Sequence, residues 1–490
     1  MNRSHLRRAS GVIFAGLLVA VALVPQGSWL AAKEKWAHPE ASGGPGVAHR
    51  AGGIKIKDKG LDIPSGKVFD MGFDSAEPTI SILKNGDLYV PAADLDADPA
   101  QLDPGNQVDV VMSKDNGKTW TNTSPRIGPQ KAHFITLDPY IWLDEWTGRL
   151  FTIDLTVACS IMSYSDDGGA TWITNPLACG RPVNDHQTLF GGPPATSTMS
   201  VYPNVIYYCW NDVASSSCSK SLTGGLTWAP TGTPAFQGIQ QGEQGGGELC
   251  GGLHGHGVVG EDGTVFLPRK YCGSPYVAIS HDEGVTWEQV QIANMKAEGP
   301  DPSVAVDKKG NVYYTWVGAK RLPYLAVSKD NGETWGKPMM IGYPGVNEAN
   351  FATIDVGDPG KVAISYYGTE NSPGGKFNEP YIDTTWNAYI TTTVDAFGKD
   401  PIFYSARLND PRNPLVRDRC GPGRCKRVFD FIDVEIAPNG QPWAPVVDHC
   451  IETVFPNDVA ENNCVTKPLG SQSYGDRGLV GTLIGGPPLK

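Results

Sequence analysis

Three things are scarce in this sequence. Outside residues 11–25 there is no apolar run long enough to span a bilayer, which excludes a polytopic helical membrane protein. Basic residues are few: 40 Lys and Arg stand against 52 Asp and Glu, giving a net charge of −12 and a pI near 5.2. That argues against a nucleic-acid partner, because phosphate binding needs a concentrated basic face. Stretches of Ala, Leu, Glu and Lys with helical period are also missing, which removes a helical bundle. The ten cysteines form no paired CxxC pattern, so disulfides are expected rather than thiolate metal ligation. The glycine-rich QGEQGGGELCGGLHGHG lacks a GKS or GKT ending and is no phosphate cradle.

What is abundant points to strands. Gly (59) and Pro (39) make up a fifth of the 490 residues, beside 13 Trp and 18 Tyr, the composition of many short strands joined by turns. Residues 1–32 read as an export signal: basic MNRSHLRR, apolar GVIFAGLLVAVALVP, then small residues at Ala31 and Ala32. An uncleaved anchor is the alternative. Residues 33–60, rich in Gly, Ala and Lys, read as a flexible lead-in, and 61–490 as one domain. Export, whether to the medium, the periplasm or the cell surface, places the cysteines in an oxidising compartment. Their spacing pairs Cys159 with Cys179, Cys209 with Cys218, Cys250 with Cys272, Cys420 with Cys425 and Cys450 with Cys464.

Comparing the chain with itself yields a repeat. SKDNGKTW at Ser113–Trp120 returns as SDDGGATW from Ser165, SHDEGVTW from Ser280 and SKDNGETW from Ser328, while SLTGGLTW from Ser221 has Thr223 in place of Asp. The five tryptophans are spaced by 52, 56, 59 and 48 residues, so the units are of one size. An alternating apolar segment, a turn and a second apolar segment recur from Ile80, Ile141, Thr188, Val258, Val304, Ile354 and Val434. Each unit would supply one four-stranded antiparallel sheet. This predicts an all-β, seven-bladed propeller, with six blades as the alternative. The box fits a tight turn between third and fourth strands, where Asp accepts backbone N–H groups and Gly takes positive φ. Its aspartates would be dispersed around the rim, which makes the boxes structural.

These boxes resemble the Asp boxes, or BNR repeats, of the sialidase superfamily, and the resemblance covers nearly all of the chain after residue 60. It implies an Asp-box β-propeller. For strict exo-sialidase activity it implies arginines holding the substrate carboxylate, the first in a motif like FRIP. Here FDSAEPTISI places Glu77 and Pro78 where that Arg and Pro should stand, and a carboxylate there would repel a sialic acid. Tyr404 lies in YSARL, a context like that of the family's tyrosine nucleophile, but on an expected outer strand. Arg269, Arg321 and Arg407 could supply guanidinium groups.

Alignment of the units on their turn glycines exposes a second recurrence. Nine residues before Gly86, Gly263 and Gly310 stand Glu77, His254 and Asp301, with Asp138 and Asp185 in equivalent places. Glu77, Asp138 and Asp301 precede Pro, which should hold them extended. Glu348 and Asn350, and Asp430 and Asp433, stand near the last two unit starts. Repeated at each innermost strand, these residues form a ring about the central channel. The alternative is that strand-initial acids simply bond local backbone. His186 follows Asp185, and His254 and His256 form HGHG. Glu77, Asp138, Asp185, His186, His254 and Asp301 are therefore the catalytic candidates, suited to general acid and base work at neutral pH. His256, Tyr366, Tyr367, Arg269 and Asp430 are candidates for substrate contact. Asp185, His254, His256 and Asp301 could hold a Ca or Zn ion. The expected function is a secreted, monomeric propeller acting on an extracellular glycan, as glycoside hydrolase or polysaccharide lyase. The alternative is a non-catalytic propeller that binds carbohydrate, a small cation or protein.

Overall fold

Each alternating segment folds as a hairpin that becomes the inner half of a sheet. In a computed structural model, Ser81–Ile82 pairs with Leu88–Ala92, and Gly86 between them takes φ of 90°, which only glycine adopts without steric cost. The structure describes residues 41–57, 60–92, 109–125, 136, 138–156, 159–176, 185–196, 201–212, 215–241, 247–299, 301–372, 383–417, 432–451, 463–468 and 475–490. All belong to the unit His38–Lys490. The export signal and Asp430 lie outside the described residues, as do the partners needed to test Cys159–Cys179 and Cys420–Cys425.

The chain is an all-β propeller of four-stranded antiparallel blades. The first sheet continues from its hairpin to Asp109–Ser113 and Thr121–Asn122; the second orders Pro139–Asp144, Arg149–Thr156, Cys159–Ser165 and Ile173–Pro176. The third runs Asp185–Gly192, Val205–Asn211, Ser216–Ser221, Ala229–Pro230, and the fourth Val258–Val259, Val265–Tyr271, Ser274–Ser280, Glu288–Gln291. The fifth runs Ser303–Val306, Val312–Val317, Pro323–Ser328, Met339–Met340, and the sixth begins Glu348–Val356, Val362–Thr369, Thr385–Thr393, Phe403–Arg407. The closing sheet joins the two ends of the chain. Glu435–Ile436, Pro442–Asp448 and Arg477–Ile484 take Ser65–Asp74 as their fourth strand. Part of the expected flexible lead-in is also structured: Ala41–Pro45 pairs with Ser65–Asp74, and Val47–Arg50 with Phe403–Arg407. His49 is fully buried there, 2.7 Å from Ser405 Oγ, so that stretch is tied down rather than mobile.

The core lies between neighbouring sheets. Phe69, Trp443 and Val480 of the closing sheet pack on Val90, Val111 and Trp120 of the first, each large side chain stabilising by about 1.5–3 kcal/mol. The boxes fold as turns at the sheet ends remote from the inner-strand starts. In one of them Thr334 N–H donates to Asp330 Oδ1 at 2.9 Å and Gly332 N–H to Ser328 Oγ at 2.9 Å. The bonds from Thr334 and Ser328 hold the Asp330 carboxyl below the usual range. Thr223 keeps the same turn, accepting Thr227 N–H at 2.8 Å, because a hydroxyl can replace one carboxylate oxygen. Disulfides Cys209–Cys218, Cys250–Cys272 and Cys450–Cys464 form as expected. Among the described residues no helix is long and apolar enough to cross a membrane.

One buried carboxyl sets a pH dependence. Asp154, on Arg149–Thr156, is fully buried, and neither carboxylate oxygen finds a hydrogen-bond partner among the described residues. Burial pushes its pKa up to about 8, since a charge without partners is costly in a low-dielectric interior. A folded pKa above the unfolded value, near 4, means the contribution is fully present below that value and is lost as pH rises through about 8. We expect Asp154→Asn to melt higher than the parent at about pH 9 and the two to converge as pH falls to about 4, measured as Tm against pH.

Candidate active site

One backbone conformation recurs where the inner strands begin. Glu77, His186, Asp301 and Phe351 have φ of 52°, 51°, 51° and 46°, left-handed values that cost residues bearing a Cβ about 1 kcal/mol or more. Glu77 and Asp301 are therefore not extended. A following proline disfavours the right-handed helical region for the residue before it, and these two residues take the left-handed one instead. Pairing irregularities at Asp185–Thr188 and Asn350–Ala352 mark the same feature in the third and sixth sheets. Strain repeated at matching places is stored where the surrounding structure over-determines it, commonly at functional sites.

The side chains at these positions meet. Asp138 is hydrogen-bonded to Glu77 and accepts the backbone N–H of His186; burial, with the nearby Asp185 adding to it, raises its pKa against the opposing pull of Glu77 and His186. Two carboxyl groups in one hydrogen bond hold a proton between them, because both cannot ionise at that separation. His186 Nε2 lies 3.2 Å from Asp301 Oδ1, with both side chains buried. The His186 and His254 rings stand edge to face, 5.9 Å between centroids. The site thus joins the first, second, third, fourth and fifth sheets. Asp185, aligned with this ring by residue count, is exposed; the bulge moves His186 into its place.

His254 has a fixed tautomer. Ser216 Oγ accepts a hydrogen bond from Arg269 Nη1 at 3.0 Å and donates its only proton to Asn211 Oδ1 at 2.9 Å. His254 Nδ1, 3.2 Å from the same oxygen, must therefore donate to it. That leaves Nε2 as an unprotonated acceptor, with no partner among the described residues on a fully buried ring. Burial first, then the neighbouring His186, Arg269 and His256, push its pKa well below the usual histidine value. A neutral imidazole with a lone pair on Nε2 is a base held ready.

Further along the inner strands lies a second tier of contacts. His256 Nε2 donates to the Ile432 carbonyl at 3.1 Å, so Nδ1 accepts from the Tyr140 hydroxyl at 2.7 Å, and Tyr140 lies 3.1 Å from Thr188 Oγ1. The link connects the second, third and fourth sheets to the entry of the closing sheet. Asp433 accepts Ile80 N–H at 3.2 Å, clasping the closing sheet to the first. Tyr140, Ser216 and Asn211 were not singled out from the sequence. Tyr140 follows the Asp138-Pro139 pair and could have been found by extending the alignment two residues inward.

Other expected residues sit elsewhere. Tyr366 and Tyr367 are fully buried packing residues of the sixth sheet, Tyr366 bonding Tyr343 N–H and Tyr367 bonding Val447 N–H. Arg269 is buried too, its Nε and Nη2 on the Gly252 carbonyl, so it supports His254 rather than contacting substrate. Arg321 pairs with Glu348 at 2.6 Å and Arg407 with Glu370. Each of these arginines is committed to its own partner, and no triad for a substrate carboxylate results. Tyr404 lies on the fourth strand of the sixth sheet. Among the described residues no three His, Cys, Asp or Glu side chains stand together as a metal-holding group; Asp185, His254, His256 and Asp301 are divided between solvent, the buried pair and the second tier.

Asn350, the sixth sheet's counterpart, is fully buried, and neither side-chain amide atom has a hydrogen-bond partner among the described residues.

No family model matches the sequence, and no curated protein matches it significantly. Solved structures do. A protein of unknown function from Dyadobacter fermentans aligns over 84% of this chain and 94% of its own at 15% identity, TM-score 0.39. The BP39L lectin of Burkholderia pseudomallei aligns over 77% and 93% at 12% identity, TM-score 0.45. A Hadza microbial sialidase, Hz136, aligns over 68% and 66% at 15% identity, TM-score 0.40.

Proposed function

We propose that this Asp-box propeller is secreted and carries out acid–base chemistry on an extracellular glycan at the channel mouth. The observation that carries the reading is the continuous contact Glu77–Asp138–His186–Asp301 with the neutral His254 beside it. It supplies a shared carboxyl proton as acid and an oriented imidazole as base. Glycoside hydrolysis by two separate carboxylates fits less well. The two groups would have to stand about 5–5.5 Å apart for retention or about 6.5–9.5 Å for inversion, whereas Glu77 and Asp138 bond each other directly. Elimination from a uronate-containing polymer needs one base to take a carbon-bound proton and one acid to protonate the departing oxygen, which matches the groups present. Cleavage of sialosides is not expected, because the Glu77–Asp138 pair occupies the place where a cation should meet the sialic acid carboxylate.

One observation favours the non-catalytic alternative, a propeller that only binds: Glu77, Asp138, His186, His254 and Asp301 are each 8% exposed or less. The two readings separate in one screen. The purified chain is incubated with neutral, uronate-containing and sialylated glycans, with and without chelator. Elimination produces the ultraviolet absorbance of an unsaturated uronate together with new reducing ends. Reducing ends without that absorbance would indicate hydrolysis, and retention of a glycan without product would indicate binding.

A further inference from the structure

A second polar feature lies on the same face, away from the acids and histidines of the mouth. An open cavity of ≈ 350 Å³ is lined by Asn371, Asp383, Thr385, Arg412 and Arg417, with Pro411 and Pro414. Thr385 begins the third strand of the sixth sheet. That strand starts at the sheet end where the inner strand carries Glu348 and Asn350, since Glu348 stands opposite Thr369 and Asn387 opposite Gly368. Two strand spacings, about 10 Å, separate the cavity from the inner strand. The sequence offered no motif here, because the lining comes from four separate stretches, the last being Cys464 and Val465.

The chemistry of the lining points to a ligand class. Arg417 Nε and Nη2 grip Asp383 at 2.6 Å each, and Arg417 Nη1 donates to the Cys464 carbonyl at 2.7 Å. Arg412 Nε and Nη2 grip Asp410, the Nη2 contact being 2.6 Å, while its side chain remains 87% exposed. Both cations are thus neutralised locally, and no net field is left to hold an anion. Asn371 Oδ1 already accepts from Thr369 Oγ1 at 2.8 Å and Thr385 N–H at 3.1 Å, so what the cavity offers a ligand is the rest of a close-set polar wall: the exposed Arg412 guanidinium N–H, the remaining lone pairs of the Asp383 carboxylate and the Thr385 hydroxyl oxygen. These match vicinal hydroxyl groups, each of which donates and accepts. Two proline rings add apolar surface on which the C–H face of a sugar ring can lie.

We propose that this cavity is a distal subsite for a neutral, hydroxyl-rich sugar unit of an extended glycan. Its link to the reacting bond rests on the reading of the mouth above; its ligand class does not. The test uses the full chain with disaccharides and hexasaccharides derived from mannan, xylan, galactan and arabinan, alongside uronate and sulfated hexasaccharides, followed by calorimetric titration. At least one neutral hexasaccharide is expected to bind, with affinity falling about tenfold or more in Arg412→Ala, whose exposed side chain makes misfolding no concern. Asp383→Asn should weaken it too, with an unchanged melting temperature as control. The same neutral hexasaccharide should bind Asp301→Asn as tightly as the parent, so failure of the mouth chemistry and failure of the subsite are read separately. Binding of none of the neutral series, binding of charged glycans alone, or neutral binding indifferent to both cavity variants would overturn the proposal.

Discussion

Asp301→Asn is expected to lower turnover of the glycan by about 10²–10⁴-fold, the usual worth of a positioned acid–base group, while leaving KM and Tm nearly unchanged. The side chains are isosteric, so packing at this buried position survives. What changes is the partner offered to His186 Nε2. The carboxylate sets an oxygen 3.2 Å from that nitrogen, whereas the amide can turn an N–H toward it and impose the opposite tautomer. The pH profile of kcat should change shape. A purely structural Asp301 would instead lower Tm and leave the profile's shape intact. Steady-state kinetics across pH on the glycan found in the screen, with thermal melts of both proteins, decide the matter; unchanged kcat would show that Asp301 and His186 do not serve the base at His254.

The repeat made the fold legible and concealed the site's detail. Boxes spaced at near-equal intervals could only be turns of equal units, and the alternating segments could only be hairpins, because both signals are local and periodic. The closure by Ser65–Asp74 gave no such signal, since that strand stands at the opposite end of the chain from the sheet it completes. Counting back from turn glycines led to Glu77, His254 and Asp301, which the structure places at the starts of inner strands. It misassigned Asp185, because a bulge adds a residue that no count reveals, and His186 is the residue that reaches Asp301. Arg269 looked like a substrate ligand only while its burial was unknown. The hydrogen bonds that fix the His254 tautomer come from Ser216 and Asn211, a serine and an asparagine in a strand and its neighbour. Nothing in their sequence context distinguishes them from others; only the register of the third sheet against the fourth brings them to His254.

Gly255→Ala should be the most damaging single-methyl substitution at the mouth. A Cβ on Gly255 would stand 1.7 Å from the Pro302 carbonyl oxygen and 2.9 Å from its carbon. Those atoms are backbone and cannot rotate aside as a side-chain tip could, so the start of the fifth sheet must move. Overpacking of this kind costs about 1–3 kcal/mol, and the displaced residue is bonded directly to Asp301. Moving Asp301 by about 1 Å from His186 is enough to cost roughly 10²-fold in rate. The HGHG spacing thus acquires a reason: His186 of the third sheet and Asp301 of the fifth can meet across the fourth only if the fourth enters without side chains between its histidines. Gly257 serves the other side, where a Cβ would lie 2.4 Å from the Phe190 ring. Gly251, with nothing within 4 Å of a built Cβ, is the matched control. Gly251→Ala should leave both Tm and turnover unchanged, and Gly255→Ala should lower both. A Gly255→Ala protein that melts and turns over like the parent would mean that the third and fifth sheets do not close over the fourth.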